Sequence, residues 1–111
     1  MELDIKKEKD IIIIYPKGSI DSKTTGTIQN RIMENISDST KVAMVFSDVD
    51  FVSSAGLRLL LMMYRQVKSK NGSVVLVDVS DEIQEVMEMT GFIKFFNFSV
   101  HIDDAIKTLS S

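Results

Sequence analysis

The chain has 111 residues, 44% of them hydrophobic and 26% charged, values typical of one globular domain and not of a disordered segment. It contains no cysteine, which excludes disulfides, thiol chemistry and the usual structural zinc sites. The net charge of -3 provides no basic patch and argues against nucleic acid as a partner.

The amino-terminal part of the chain predicts two strands. Residues 1–7 lack the apolar core of a signal peptide, and no apolar run approaches the roughly 20 residues that cross a bilayer. We therefore expect one cytoplasmic domain over residues 1–111, without a membrane partner. Alternation around Leu3 and Ile5 predicts an edge strand, and residues 11–15 predict a buried strand that Pro16 and Gly18 interrupt. Their short connection requires antiparallel pairing.

The remaining elements follow the same alternation of strand and helix. Apolar residues recur every four positions at Ile28, Ile32 and Ile36, which predicts a helix. Its possible caps are Asp21, Ser22 and Thr24. Residues 42–46 predict a buried strand, and the acidic residues 47–50 after it predict a loop. A four-turn helix then runs from about Leu57 to the turn at Asn71-Gly72, and residues 73–77 predict another buried strand.

The last third of the chain predicts two more helices and a short strand. Ser80 is the expected cap of the first helix and Gly91 its end, with an inner face formed by Ile83, Val86 and Met87. Phe95, Phe96 and Phe98 predict the strand, and residues 102–109 the final helix. Strands separated by helix-length segments indicate an α/β fold, with helices packed on a mixed sheet.

Two serines, Ser53 and Ser54, stand where a strand gives way to a helix. A helix start carries unpaired N–H groups and a partial positive charge. Such a position suits a serine that caps the helix, and it equally suits a serine that carries a phosphate. The residues alone leave both interpretations open.

Residue patterns for catalysis are missing. The only histidine, His101, is far in sequence from the serine pair, and the Gly-x-Ser-x-Gly pattern of a hydrolase nucleophile does not occur. Glycines are not spaced as a phosphate-binding loop. Asp48 and Asp50 lack a nearby third ligand for a metal. We therefore expect no enzyme activity, no cofactor and no metal site.

Four segments, residues 18–21, 42–61, 80–83 and 89–92, resemble the STAS domains of bacterial anti-sigma factor antagonists. The most specific part is Ser53-Ser54-Ala55-Gly56-Leu57, which is similar to the family pattern Asp-Ser-(Ser/Thr/Ala)-Gly-Leu. Here Ser53 replaces the aspartate and Ala55 the next hydroxyl. The resemblance implies a four- to five-stranded mixed sheet with about four helices on one side.

The same resemblance implies a site and a mechanism. Ser54 is the expected phosphorylation site, with Ser53 as the alternative acceptor. The expected partner-binding residues are Ser19, Asp21, Ser53, Ser54, Gly56 and Leu57. The unphosphorylated protein would bind an anti-sigma factor that is a serine kinase and free the sigma factor, and a metal-dependent serine phosphatase would reverse the phosphorylation. The alternative is a STAS adaptor without a switch, in a transport or other signalling complex.

Overall fold

A computed structural model describes residues 2–110, which form a mixed α/β fold. The strands are β1 (Glu2–Glu8), β2 (Ile11–Ile20), β3 (Lys41–Val45), β4 (Val49–Val52), β5 (Ser73–Val77) and β6 (Asn97–Ser99). The helices are α1 (Thr25–Asn35), α2 (Ser54–Ser69), α3 (Asp81–Thr90) and α4 (Ile102–Ser110), and Phe92–Phe95 forms a short 3-10 helix. The expected domain of residues 1–111 also includes Met1 and Ser111, which lie outside the described residues.

The sheet is mixed, as the sequence predicted. β1 pairs antiparallel with β2, while β3, β5 and β6 continue the sheet as parallel strands in the order β1-β2-β3-β5-β6. β4 pairs in parallel with the last residues of β2, beyond the part of β2 that pairs with β3. The described residues thus contain six strands, more than the four to five expected.

Apolar side chains cover both faces of the sheet, because successive residues of a strand point to opposite sides. On one face, Ile12 and Ile14 of β2 belong to a cluster that includes the buried sides of α1, α2 and α3. On the other face, Ile11 and Ile13 pack in a second cluster with Ala105 and Leu109 of α4. The expectation that all helices lie on one side was therefore wrong.

Two further expectations about the strands near the serine pair were wrong. β2 continues through Pro16 and Gly18 to Ile20, because the sheet supplies neighbours on both sides of it. Val49–Val52 forms β4, although residues 47–50 were expected in an acidic loop. Its two ends, Val49 and Val52, are buried and its two central residues are exposed, so the strand lacks the regular alternation that reveals a strand in a sequence.

The carboxyl-terminal elements agree with the sequence in most respects. Ser80 caps α3, with the Ile83 N–H donating to its Oγ at 3.2 Å, and Gly91 ends that helix at a φ of 80°. Val86 was expected on the inner face of α3 but is 40% exposed. Of the three phenylalanines expected in the last strand, only Phe98 lies in it: Phe95 ends the 3-10 helix, Phe96 follows that helix, and the strand begins at Asn97. Among residues 2–110, no helix is both long and apolar enough to traverse a bilayer.

Candidate functional site

Ser53 is the N-cap of α2. Its backbone is extended, with φ of -81° and ψ of 177°, and the Gly56 N–H donates to its Oγ at 3.2 Å. The Leu57 N–H donates to its carbonyl oxygen at 2.9 Å and closes the first turn of the helix. The capping interpretation of the serine pair therefore applies to Ser53, which is half-buried.

Ser54 is the first residue of α2 and differs from its neighbour in both exposure and bonding. Its side chain is exposed, and its hydroxyl has no hydrogen-bond partner among residues 2–110. The first turn of α2 contains no acidic residue, and Arg58, one turn further along, is exposed. An anion on Ser54 would thus meet the positive end of the helix without a carboxylate in the same turn.

The pairing of β2 with β4 brings two distant segments together at one edge of the sheet. Ile20 is the register partner of Val52, and the Ser53 N–H donates to the Ile20 carbonyl at 2.9 Å. Residues 19–21 and 53–54 therefore meet at the ends of two adjacent parallel strands. The register shifts next to Gly18, whose φ of 96° favours glycine.

Asp21 lies in a tight turn immediately after β2. The Lys23 N–H donates to Asp21 Oδ1 at 2.9 Å. Thr24 stabilises the same turn, because its hydroxyl donates to the Ser19 carbonyl at 2.8 Å and accepts from the Asp21 N–H at 3.0 Å. Thr24 occupies the N-cap position of α1, but its side chain makes no capping bond to that helix. Its hydroxyl orders the turn that carries Ser19 and Asp21.

Gly56 and Leu57 are buried, although both were expected among the partner-binding residues. A Cβ atom on Gly56 would collide with the carbonyl oxygen of Ile20 and lie 2.8 Å from Val52 Cγ1. The missing side chain is what allows α2 to start against the end of β2. Gly56 therefore positions the site, and among the other expected partner-binding residues Ser54 is exposed while Ser19, Asp21 and Ser53 are partly exposed.

The expected site did not include one residue that the structure exposes beside it. Phe51, in β4, is 55% exposed. The only sequence indication was its position, two residues before the serine pair and between Asp50 and Val52. Without the strand assignment, nothing indicated that its ring points to solvent. His101 is exposed at the start of α4, and within residues 2–110 no hydrogen bond links it to the serine pair.

Comparison with known proteins places this geometry in a family. The STAS domain family profile matches residues 2–105. One relative is BtrV of Bordetella bronchiseptica, whose name describes it as an anti-sigma factor antagonist. It is 26% identical to this chain over 97 residues, which cover 86% of this chain and 84% of BtrV. The crystal structure of an anti-sigma factor antagonist from Mycobacterium paratuberculosis superposes with a TM-score of 0.87 at 22% identity, over 99% of this chain and 94% of that one.

A further structure similar to this chain is that of the Bacillus cell fate determinant SpoIIAA in its phosphorylated form. It superposes with a TM-score of 0.73 at 18% identity, over 96% of this chain and 98% of that one. At these identities the structural likeness concerns the fold. The family match extends over nearly the whole described chain, and the protein belongs to the STAS domain family.

Proposed function

We propose that the protein is a cytoplasmic anti-sigma factor antagonist controlled by phosphorylation of Ser54. In its unphosphorylated form it binds an anti-sigma factor that is a serine kinase, and so releases the sigma factor. A metal-dependent serine phosphatase removes the phosphate and restores binding. The names of the relatives support the antagonist activity, and the phosphorylated form of SpoIIAA is a precedent for a phosphate on this fold.

The observation that carries the choice of residue is the difference between the two hydroxyls. Ser53 Oγ already accepts the Gly56 N–H, so its modification would remove the cap of α2. Ser54 is exposed and makes no such bond within residues 2–110. A kinase reaches the Ser54 hydroxyl without breaking a contact of the folded domain.

Phosphorylation of Ser54 leaves the domain folded and acts on the docking surface. A phosphate adds about -1.5 to -2 charge at neutral pH, and the partial positive charge of the α2 start tolerates it. In the complex the phosphate adds bulk and a desolvation cost, and it is repelled by acidic groups and nucleotide phosphates at the kinase site. The unphosphorylated protein therefore binds the kinase, and the phosphorylated protein dissociates from it.

Mass spectrometry after incubation with ATP and a purified anti-sigma factor kinase from the same organism tests the site. We expect one phosphate on the wild-type protein, located on Ser54 by fragmentation. The Ser53→Ala variant should still be phosphorylated, and the Ser54→Ala variant should not. A phosphate that persists in Ser54→Ala and disappears in Ser53→Ala would assign the acceptor to Ser53.

Binding measurements by titration calorimetry test the switch. Ser54→Ala should bind the kinase like the wild type and remain insensitive to ATP, whereas Ser54→Asp should bind about tenfold or more weakly. Equal affinities for wild type and Ser54→Asp, with no phosphate incorporated, would contradict the switch. In that case a STAS adaptor without a switch, which co-purifies with a permease, would explain the chain.

A further inference from the structure

An apolar groove with an acidic rim lies beside the proposed phosphorylation site. β4 contributes residues 50–52 to it, α2 contributes Leu57, and α3 contributes Glu82, Ile83 and Val86. Its volume is about 210 Å³, which has room for a side chain but not for a helix, whose diameter is about 10–12 Å. We call it the β4–α3 groove.

The groove presents apolar side chains to water. Phe51 is 55% exposed and Val86 is 40% exposed, and they contribute to its lining from β4 and α3. Large apolar side chains that stay exposed together at a concave site are typical of protein interaction surfaces. The groove is continuous with the start of α2, because Val52 directly precedes Ser53 and Leu57 lies in the first turn.

The charge at the rim is negative and uncompensated. Asp50 and Glu82 are exposed, and neither forms an ion pair with a residue in the described range 2–110. The two segments that form the walls, residues 47–52 and 81–90, contain six acidic residues and no lysine or arginine. An occupant with a positive charge beside an apolar group would complement both the rim and the floor.

We propose that the β4–α3 groove is the docking site for an apolar side chain that the anti-sigma factor kinase carries next to a lysine or arginine. The inference rests on the proposed function and names the chemistry of its partner. The apolar side chain packs against Phe51 and Val86, and the cation faces Asp50 and Glu82. Ser54 does not line the groove, so the contact does not involve the reacting hydroxyl. It therefore stabilises the complex before the reaction and the transition state equally.

Steady-state phosphorylation kinetics with the purified kinase test the apolar part. Phe51→Ala should raise KM about tenfold and change kcat less than about twofold, because the removed contact is made equally before and during the reaction. Met89→Ala is the matched control, since Met89 is 81% exposed on α3 and does not line the groove. Its KM should equal that of the wild type.

Association rates at several salt concentrations test the charged part. The double variant Asp50→Asn and Glu82→Gln should associate more slowly than wild type at low salt and show a flatter dependence on ionic strength. Glu88→Gln, on the same helix but outside the groove, is the control and should retain the wild-type salt dependence. The double variant is the second line of evidence if Phe51→Ala does not fold.

The outcomes separate the docking site from the switch. If wild type binds the kinase and is phosphorylated, but Phe51→Ala and the charge variant behave like wild type, the groove proposal is overturned and the switch stands. If wild type neither binds nor is phosphorylated, both are overturned. If sedimentation shows wild-type dimers that Phe51→Ala dissociates, the groove holds a second copy of the chain, and the proposed occupant is wrong.

Discussion

At the scale of single residues, the two serines have different roles: Ser53 caps α2, and Ser54 does not. Ser53 Oγ bonds to the Gly56 N–H at 3.2 Å and stabilises the first turn of α2. Ser54 leaves its hydroxyl in solvent at the first helical position. One side chain maintains the helix start, so the other is available for a modification that does not disturb the cap.

The division predicts unequal stability effects of two alanine substitutions. Ser53→Ala should lower the free energy of unfolding by about 1 kcal/mol, because it removes an N-cap. Ser54→Ala should change it by no more than about 0.5 kcal/mol, since an exposed hydroxyl without a partner is lost. Urea denaturation followed by circular dichroism measures both. Equal losses in the two variants would contradict the assignment of the cap to Ser53.

Gly56 provides a second prediction at this scale. Gly56→Ala should lower the free energy of unfolding by about 1–3 kcal/mol, because the added Cβ meets the Ile20 carbonyl and Val52 Cγ1. Gly26→Ala is the control, as a Cβ at this position of α1 meets no atom within 4 Å apart from the neighbouring backbone of its own helix. The control should keep or raise stability, by up to about 1 kcal/mol. Thermal and urea denaturation of both variants measure the contrast.

At the scale of elements, the start of α2 determines how the domain responds to a phosphate. A negative charge near a helix N-terminus is stabilising by about 0.3–1 kcal/mol. Arg58 lies four residues after Ser54 on the same helix, a spacing at which an acidic group N-terminal to a basic one is favourable. Both effects act on the folded state.

We therefore expect phosphorylated protein to melt at the same temperature as unphosphorylated protein or slightly higher. Differential scanning calorimetry on protein with and without phosphate, each checked by mass spectrometry, measures the difference. High salt should reduce any gain, because it screens the charges. A clearly lower melting temperature after phosphorylation of Ser54 would mean that the phosphate acts by unfolding the helix start.

The sequence predicted the helices better than the junction between β2 and β4. Apolar spacing identified the helices, and Ser80 and Gly91 bound α3 as expected. The pairing of residues 18–20 with 49–52 joins residues that are 31 or 32 positions apart in the sequence, and short irregular strands carry no local signal of such a partner. That pairing is nevertheless what places Asp21 near the serine pair. The motif indicated Ser54 as the expected phosphorylation site, but the contacts around this residue are seen only in the structure.

At the scale of the whole molecule, the sheet separates two apolar clusters with different relations to the site. The larger cluster lies under α1, α2 and α3. Ser54 at the start of α2 and the β4–α3 groove lie on this side of the sheet. The smaller cluster lies under α4 on the opposite face. Substitutions beneath α4 should therefore lower the stability of the fold without changing the affinity for the partner.

Leu109 allows this separation to be tested. It is 3% exposed and packs in the smaller cluster from α4, so Leu109→Ala should lower the free energy of unfolding by about 2–5 kcal/mol through lost burial and a cavity. Thr108→Ala, at an exposed position of the same helix, should change it by no more than about 0.5 kcal/mol. Urea denaturation compares the two variants.

At a temperature where Leu109→Ala remains folded, its affinity for the anti-sigma factor kinase and its rate of phosphorylation should equal those of wild type. The physical reason is that α4 lies across the sheet from Ser54 and the groove. Calorimetric titration at that temperature measures the affinity, with folding checked by circular dichroism. A weaker complex despite complete folding would show that the α4 face takes part in docking, and the partner surface would then extend to both sides of the sheet.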